Sequence, residues 1–108
     1  MRTVFVTALA AALTLVAGAA SADAIDGDWC GPNGGHISIR GPSIVTPGGS
    51  SIRGDYARHS FSYVTPPNEP RAGEIVLMRL LNEQTVDVWF GLSAASLPQT
   101  WQRCTPIA

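Results

Sequence analysis

The two cysteines of this chain constrain its fold more than any other feature, because each lies beside a tryptophan near one end of the sequence. Cys30 closes the stretch GDWC, and Cys104 closes WQRC. Only one intrachain pairing exists, and it closes a loop of about 75 residues, worth on the order of 4 kcal/mol by chain-entropy reasoning. We therefore predict a Cys30–Cys104 disulfide that joins the first and last elements of the domain.

The first 22 residues carry the three parts of a secretory signal. Arg2 provides a positive start, an uncharged apolar run follows, and ASA at 20–22 supplies the small residues that a signal peptidase reads. This pattern predicts a signal peptide over residues 1–22 and one small domain over residues 23–108. We expect the mature protein in the periplasm or secreted, where a disulfide forms readily.

The charged residues exclude several classes of partner. All seven basic residues are Arg, and they stand against eight Asp plus Glu, for a net charge of −1 with His neutral. Such a chain does not attract nucleic acid or an anionic membrane surface. After residue 22 no apolar run is long enough to span a membrane. The exclusive use of Arg indicates a bacterium with a GC-rich genome.

Apolar residues after residue 22 alternate with polar ones and show no helical period. Gly- and Pro-rich stretches such as PGGSS and TPPNEPRAG mark turns and loops between the alternating segments. Residues 51–64 are predicted to form one long extended stretch. The fold class is therefore all-β: a small antiparallel β-barrel or sandwich of roughly seven short strands.

Strand geometry links the two Trp–Cys stretches. Residues two apart share a face of a strand, so Trp101 and Arg103 lie opposite Cys104, and Trp29 faces away from Cys30. If the cysteines are bonded, Trp29 lies on the side of Trp101 and Arg103, where a guanidinium can stack on an indole. We predict neighbouring terminal strands, held by the disulfide on one side and a Trp–Arg–Trp cluster on the other. Such pairing favours a closed barrel.

Gly27, Trp29 and Arg103 together resemble the lipocalin and calycin pattern. In that pattern a Gly-x-Trp opens the first strand and an Arg from near the end of the barrel packs across the Trp. The small calycin-like barrels of bacterial periplasmic protease inhibitors share it. The resemblance implies a barrel that binds a ligand or a protein target. This chain is shorter than a lipocalin, so any interior cavity should be small.

Residues 53–63, RGDYARHSFSY, form the densest polar and aromatic stretch. Tyr56, Arg58 and His59 are the candidate binding residues there, and His59 could transfer a proton beside Asp55. The alternative interpretation makes Arg58 solvated and His59 a partly buried strand residue. We favour the alternative, because the spacing identifies no partner for His59.

Trp89 is the fourth candidate binding residue. It alternates with Val88 and Phe90, which have the character of core residues together with Val86, so Trp89 should point outward beside Asp87. A partner protein, a glycan or the following LSAASLP loop could cover it.

The sequence does not contain the residue patterns that catalysis and metal binding require. The chain has two histidines, His36 and His59, whereas a zinc site takes three or four ligands. No Gly-x-Ser-x-Gly motif occurs, and the carboxylates are scattered. We therefore expect no metal, no cofactor and no enzymatic activity.

The sequence thus predicts a non-enzymatic binding protein. Its first expected partner is a protein of the cell envelope, with inhibition as one form of the interaction. A small apolar ligand inside the barrel is the alternative. A hydrolase that uses Asp55, Arg58 and His59 is the alternative from another functional class. A preformed apolar cavity would favour the ligand, and outward Tyr, Trp and Arg side chains would favour the protein partner.

Overall fold

The computed structural model describes residues 24–93 and 95–105, so the predicted signal peptide and Asp23 lie outside the described residues. The described chain is all β, as predicted, and its nine strands form one antiparallel sheet. In chain order the strands are β1 Gly27–Cys30, β2 His36–Arg40, β3 Ser43–Val45, β4 Ser51–Arg53, β5 Asp55–Ala57, β6 Ser60–Val64, β7 Ile75–Asn82, β8 Thr85–Phe90 and β9 Gln99–Arg103.

The strand count exceeds the predicted seven because residues 51–64 do not form one extended stretch. Gly54 separates β4 from β5, and a two-residue turn at Arg58 and His59 folds β6 back on β5, with Ala57 opposite Ser60. This turn contains no Gly, Pro, Asn or Asp, which are the residues that usually signal a turn in a sequence. The prediction of a continuous strand was therefore wrong at this point.

The sheet is an up-and-down meander that closes almost completely into a barrel. Strands β1 to β4 pair in chain order, and so do strands β5 to β9. Strand β1 also pairs with β9, where Trp29 lies opposite Arg103. At the remaining edges β4 pairs with β3 and β5 pairs with β6. Because β4 and β5 are joined through Gly54 alone, they act as one bent strand that closes the wall. The predicted pairing of the first and last strands is confirmed.

Gly54 is needed at this seam because a side chain has no room there. A Cβ on Gly54 would lie 2.4 Å from the carbonyl oxygen of Ser62 and 2.6 Å from Cε1 of Phe61. Its amide donates a hydrogen bond of 2.9 Å to the carbonyl of Pro42. The bend in the wall and the packing of Phe61 beneath it thus depend on one glycine.

Alternation along the strands separates an apolar interior from a polar outside. The buried apolar residues are Ile25, Trp29, Ile37, Ile39, Ile44, Phe61, Tyr63, Val76, Met78, Val86, Val88 and Trp101. Fully burying a large apolar side chain contributes about 1.5–3 kcal/mol. The predicted disulfide is present on the outside of the wall, where Cys30 and Cys104 are exposed and their Cα atoms lie 5.0 Å apart.

The two ends of the barrel differ in the length of their connections. Because paired strands run in opposite directions and β4 continues into β5, the connections alternate between the ends. One end, which we call the closed end, has the two-residue turns 41–42, 58–59 and 83–84. The other end, which we call the mouth, has the longer connections 31–35, 46–50, 65–74 and 91–98.

Candidate functional site

Arg103 seals the closed end from within. Its guanidinium carbon lies 4.3 Å from the centre of the Trp29 ring. Its Nε donates to the carbonyl of Glu83 at 2.6 Å, Nη1 to that of Asp26 at 2.6 Å and Nη2 to that of Ala24 at 2.8 Å. The side chain is buried, and this burial lowers the pKa of Arg103. Two backbone segments, residues 24–26 before β1 and the turn at residues 83–84, are thereby held by one cation.

The segment before β1 completes the seal. Ile25 is fully buried, and its amide donates to the carbonyl of Arg58 at 2.8 Å. Its own carbonyl accepts a hydrogen bond of 2.8 Å from Nε1 of Trp29. Gly27 has a φ of 126°, and a Cβ there would lie 2.6 Å from Nη1 of Arg103. Gly27 is therefore required both by its backbone conformation and by the approach of the guanidinium.

Trp101 shares the interior face with Trp29 and Arg103 but leans toward the mouth. A Cβ on Gly31 would lie 2.2 Å from Cε2 of the Trp101 indole, so the ring lies against the bare backbone of that loop. Its ring centre is 6.2 Å from that of Phe90. Trp101 thus packs below the mouth.

Tyr56, a predicted binding residue, is tied to the closed end. Its hydroxyl donates to Oδ1 of Asp26, whose Oδ2 accepts the amide of Gly41 at 2.8 Å. Its ring meets Phe61 edge-on, with the centroids 6.4 Å apart. The hydrogen bond to Asp26 raises the pKa of Tyr56. These contacts hold the N-terminal segment against the wall.

His59 does not occupy the partly buried strand position that we favoured from the sequence. It lies exposed in the turn between β5 and β6, beside the exposed Arg58. In residues 24–93 and 95–105 its imidazole makes no hydrogen bond or ion pair with a carboxylate. His36 lies at the opposite end of the barrel, where its Nε2 is 3.5 Å from Oδ1 of Asp28. The described part of the chain holds no group of three potential metal ligands.

Trp89 lies on the outer wall, as the alternation of β8 predicted, while Val86 and Val88 are fully buried. Phe90 is only partly buried and packs against the core. Trp89 is partly buried, and the guanidinium carbon of Arg79 lies 5.9 Å from the centre of its ring. Trp89 is thus separated from the three other predicted binding residues, which lie at the closed end.

The mouth contains a cavity of about 330 Å³ that the sequence analysis did not predict. Tyr63, Val76 and Phe90 line it from the barrel interior. Residues of three mouth loops complete the lining: Pro47, Gly48, Thr65, Glu69, Pro70, Arg71, Glu74 and Gly91. The only sequence signals were the TPGGSS and TPPNEPRAG stretches, which indicate loops but not that the loops face each other.

Glu69 is held in place by hydroxyl groups. Its Oε2 accepts hydrogen bonds from Oγ1 of Thr46 and from Oγ of Ser50, the latter at 2.6 Å. The amide of Ser50 donates back to Oγ1 of Thr46 at 3.1 Å, which fixes the loop. A Cβ on Gly48 would lie 2.3 Å from Cδ of Glu69. The carboxylate therefore rests on glycine backbone that leaves room for it.

Tyr63 brings a buried hydroxyl to the same cavity. The residue is 4% exposed, and within the described residues its phenol oxygen has no hydrogen-bond partner. Burial raises the pKa of Tyr63, and the nearby charge of Glu69 raises it further. The phenol is therefore neutral at physiological pH and keeps its full hydrogen-bonding capacity.

Arg71 is the cation of the mouth, and it is already paired. Its Nη2 lies 2.8 Å from Oε1 of Glu74 and donates to the carbonyl of Phe90 at 2.8 Å. Its Nε donates to the same Glu74 oxygen at 3.0 Å. Arg71 has a φ of 68°, which the turn at this point requires. The pair fastens the β6–β7 loop to the end of β8 and leaves Glu69 as the uncompensated charge.

Comparisons of the chain with protein-family models, curated proteins and solved structures found no match. The resemblance to calycins therefore stays a hypothesis that rests on Gly27, Trp29 and Arg103. Among the described residues, none of the helical structure is long and apolar enough to cross a membrane.

Proposed function

We propose that this chain is an exported, non-enzymatic binding protein whose mouth cavity takes a small ligand with an apolar body. The cavity itself is the observation that supports this proposal. Its interior lining of Tyr63, Val76 and Phe90, with a few fixed polar groups at the rim, is the usual composition of a small-molecule site. Its volume of about 330 Å³ is near the lower limit of such sites.

Two observations support export to the periplasm or beyond. The first 22 residues have the pattern of a signal peptide, and a disulfide is typical of proteins in oxidising compartments. Mass spectrometry of the native bacterial protein should find Asp23 at the N-terminus. A native protein that still carried Arg2 would contradict export with cleavage after Ala22.

The charged side chains of the mouth support a binding role, because contacts within the protein hold them in fixed positions. Oε2 of Glu69 receives two hydroxyls, and Arg71 is paired with Glu74. The hydrolase alternative requires a group that orients His59, with Asp55 and Arg58 nearby. It predicts hydrolytic activity that His59→Ala abolishes, whereas we expect no such activity in the purified protein.

Binding in the cavity can be tested with n-octanol as an apolar probe. We expect the exported, disulfide-bonded protein to bind octanol with NMR shift changes centred on Tyr63, Val76 and Phe90. Pro70→Trp should weaken this binding, because Pro70 lines the cavity. Pro67→Trp is the matched control, since Pro67 lies in the same loop but outside that lining. Equal binding by both variants would place the probe elsewhere.

A protein partner of the cell envelope remains the second candidate, and inhibition remains one form of it. The supporting observation is the exposure of Leu92 and Leu97 in a loop at the mouth, at 54% and 84%. Exposed apolar side chains next to a cavity are common where partners dock. Capture from periplasmic extract should then weaken with Leu97→Ser.

Trp89 gives a separate test of the protein-partner candidate. Trp89→Ala should cost little stability because the side chain lies outside the core, whereas Phe61→Ala should cost about 3–5 kcal/mol. If Trp89 anchors a partner, its removal should weaken capture as well. If the Trp89→Ala variant captured the partner as well as the unaltered protein does, Trp89 on the outer wall would not be part of the partner's binding site.

A further inference from the structure

We propose that the mouth cavity selects amines: the apolar body of the ligand packs on Val76 and Phe90, and its protonated amino group binds the carboxylate of Glu69. The inference rests on the proposed function and adds the chemical class of the ligand.

The geometry of Glu69 supplies the first argument. Both hydroxyl donors, from Thr46 and Ser50, bind the same oxygen, Oε2. Oε1 has no hydrogen-bond donor or cation among the residues that the structure describes. The carboxylate is thus oriented by the protein while one of its oxygens stays available. A donor on the ligand would complete the site without moving the side chain.

The charges around the cavity supply the second argument. Glu69, Arg71 and Glu74 are its charged lining residues, and Arg71 is paired with Glu74 at 2.8 Å. The negative charge of Glu69 is therefore left uncompensated. A carboxylate ligand would be repelled, and a neutral ligand would gain one ordinary hydrogen bond. An ammonium group would gain a charge-assisted hydrogen bond, which is roughly twice as strong.

Tyr63 is the independent observation that points to a ligand. Buried side-chain hydroxyls are nearly always hydrogen-bonded, yet the phenol of Tyr63 lines the cavity at 4% residue exposure without a partner in the described chain. Its oxygen can accept a second N–H of the ammonium group. Tyr63 and Glu69 line the same cavity of about 330 Å³. We therefore infer that one amino group binds both.

Three probes that differ only in their polar group test the inference: n-octylamine, n-octanol and n-octanoate at neutral pH. We expect octylamine to bind at least about tenfold more tightly than octanol, with octanoate weakest, because the charge-assisted hydrogen bond distinguishes them. Glu69→Gln should remove the preference for octylamine and leave octanol binding nearly unchanged. Glu83→Gln, a carboxylate change at the closed end, is the matched control and should keep the preference.

A second variant keeps the test decisive if Glu69→Gln disturbs the loop. Gly48→Ala places a Cβ 2.3 Å from Cδ of Glu69 and must displace the carboxylate while its charge is retained. We expect it to reduce the preference for octylamine severalfold. Tyr63→Phe should reduce it less, because it removes only the second acceptor.

The outcomes separate the two proposals. If all three probes bind alike, or if Glu69→Gln and Gly48→Ala both keep the preference for octylamine, the amine inference is overturned and the apolar cavity remains. If no probe binds at the mouth, the proposed function fails as well.

Discussion

The closed end and the mouth of this barrel use charged and hydroxyl side chains in opposite ways. At the closed end, the three guanidinium nitrogens of Arg103 each donate a hydrogen bond to a backbone carbonyl. At the mouth, Glu69 keeps an oxygen and Tyr63 keeps a hydroxyl without partners in the described residues. A buried polar group that is fully paired stabilises a fold, whereas one left partly paired is available to a ligand.

The lengths of the connections explain this difference. Two-residue turns keep the ends of neighbouring strands together, so the carbonyls of Arg58 and Glu83 come within reach of Ile25 and Arg103. The β6–β7 connection at the mouth spans residues 65–74, and most of its residues are exposed. Its groups pair with one another across the loops, as Glu69 does with Thr46, and they surround a space.

The largest effect should come from Arg103. Arg103→Leu leaves three backbone carbonyls without their donor and removes the cation from the Trp29 ring, so we expect a loss of about 3–5 kcal/mol in the free energy of unfolding. Arg79→Leu, an exposed arginine above Trp89, should cost less than about 1 kcal/mol. Urea denaturation of both variants measures the difference. Equal losses would mean that the closed end contributes no special stability.

The disulfide should have the next largest effect. Cys104→Ser should lower the free energy of unfolding by roughly 2–5 kcal/mol, because the open chain regains the entropy of a long loop. The oxidised native protein should show no free thiol. Octanol binding should persist in the folded fraction, since Cys30 and Cys104 lie outside the cavity lining. A native protein that reacts fully with a thiol reagent while folded would contradict the pairing.

Gly54 and Gly48 allow the same substitution to be compared in the wall and at the mouth. Gly54→Ala pushes a Cβ against a backbone carbonyl and the Phe61 ring, so it should cost about 1–3 kcal/mol. Gly48→Ala meets the end of the Glu69 side chain, which can rotate away, so it should cost less than about 1 kcal/mol. Thermal unfolding would rank the two variants. The reverse order would mean that the mouth loops, and not the bent strand, limit stability.

The wall of the barrel could be predicted from the sequence because it depends on local patterns. Alternation identified the buried faces of Val86 and Val88, and the cysteine count left one pairing for Cys30 and Cys104. The proximity of Trp29 and Arg103 followed from that pairing. Each of these inferences needs only the period of a strand or the covalent link.

The mouth could not be predicted because its residues come from separate loops. Thr46 and Glu69 are 23 residues apart, and no periodicity relates them. The turn at Arg58 and His59 was missed because neither residue is a usual turn residue, and this placed His59 in a strand. Tyr56 was predicted to bind a partner because it lies in a dense polar and aromatic stretch, and its hydrogen bond to Asp26 could not be predicted because the two residues are 30 positions apart.

The smallest effects should come from the two tyrosines, one at each end. Tyr56→Phe removes the hydrogen bond to Asp26 from a partly exposed side chain, so it should cost about 0.5–1 kcal/mol at pH 7. Tyr63→Phe removes a hydroxyl that has no partner in the described structure, so it should cost little or slightly stabilise the protein at pH 7. Urea unfolding at pH 7 compares the two variants. A larger loss for Tyr63→Phe would mean that its hydroxyl is paired and unavailable to a ligand.

High pH should separate the tyrosines further, because the pKa of each is raised in the folded protein, most strongly for buried Tyr63. Below a pH of about 10 both tyrosines are protonated in the folded and the unfolded chain. Above it the unfolded chain loses these protons while the folded protein retains them, so the free energy of unfolding falls as the pH rises. Tyr63→Phe should weaken this fall more than Tyr56→Phe does. Unfolding measured at pH 7 and at about pH 10.5 gives each difference. An unchanged alkaline loss in Tyr63→Phe would show that its phenol is exposed to solvent at the mouth, contrary to the buried site on which the amine inference depends.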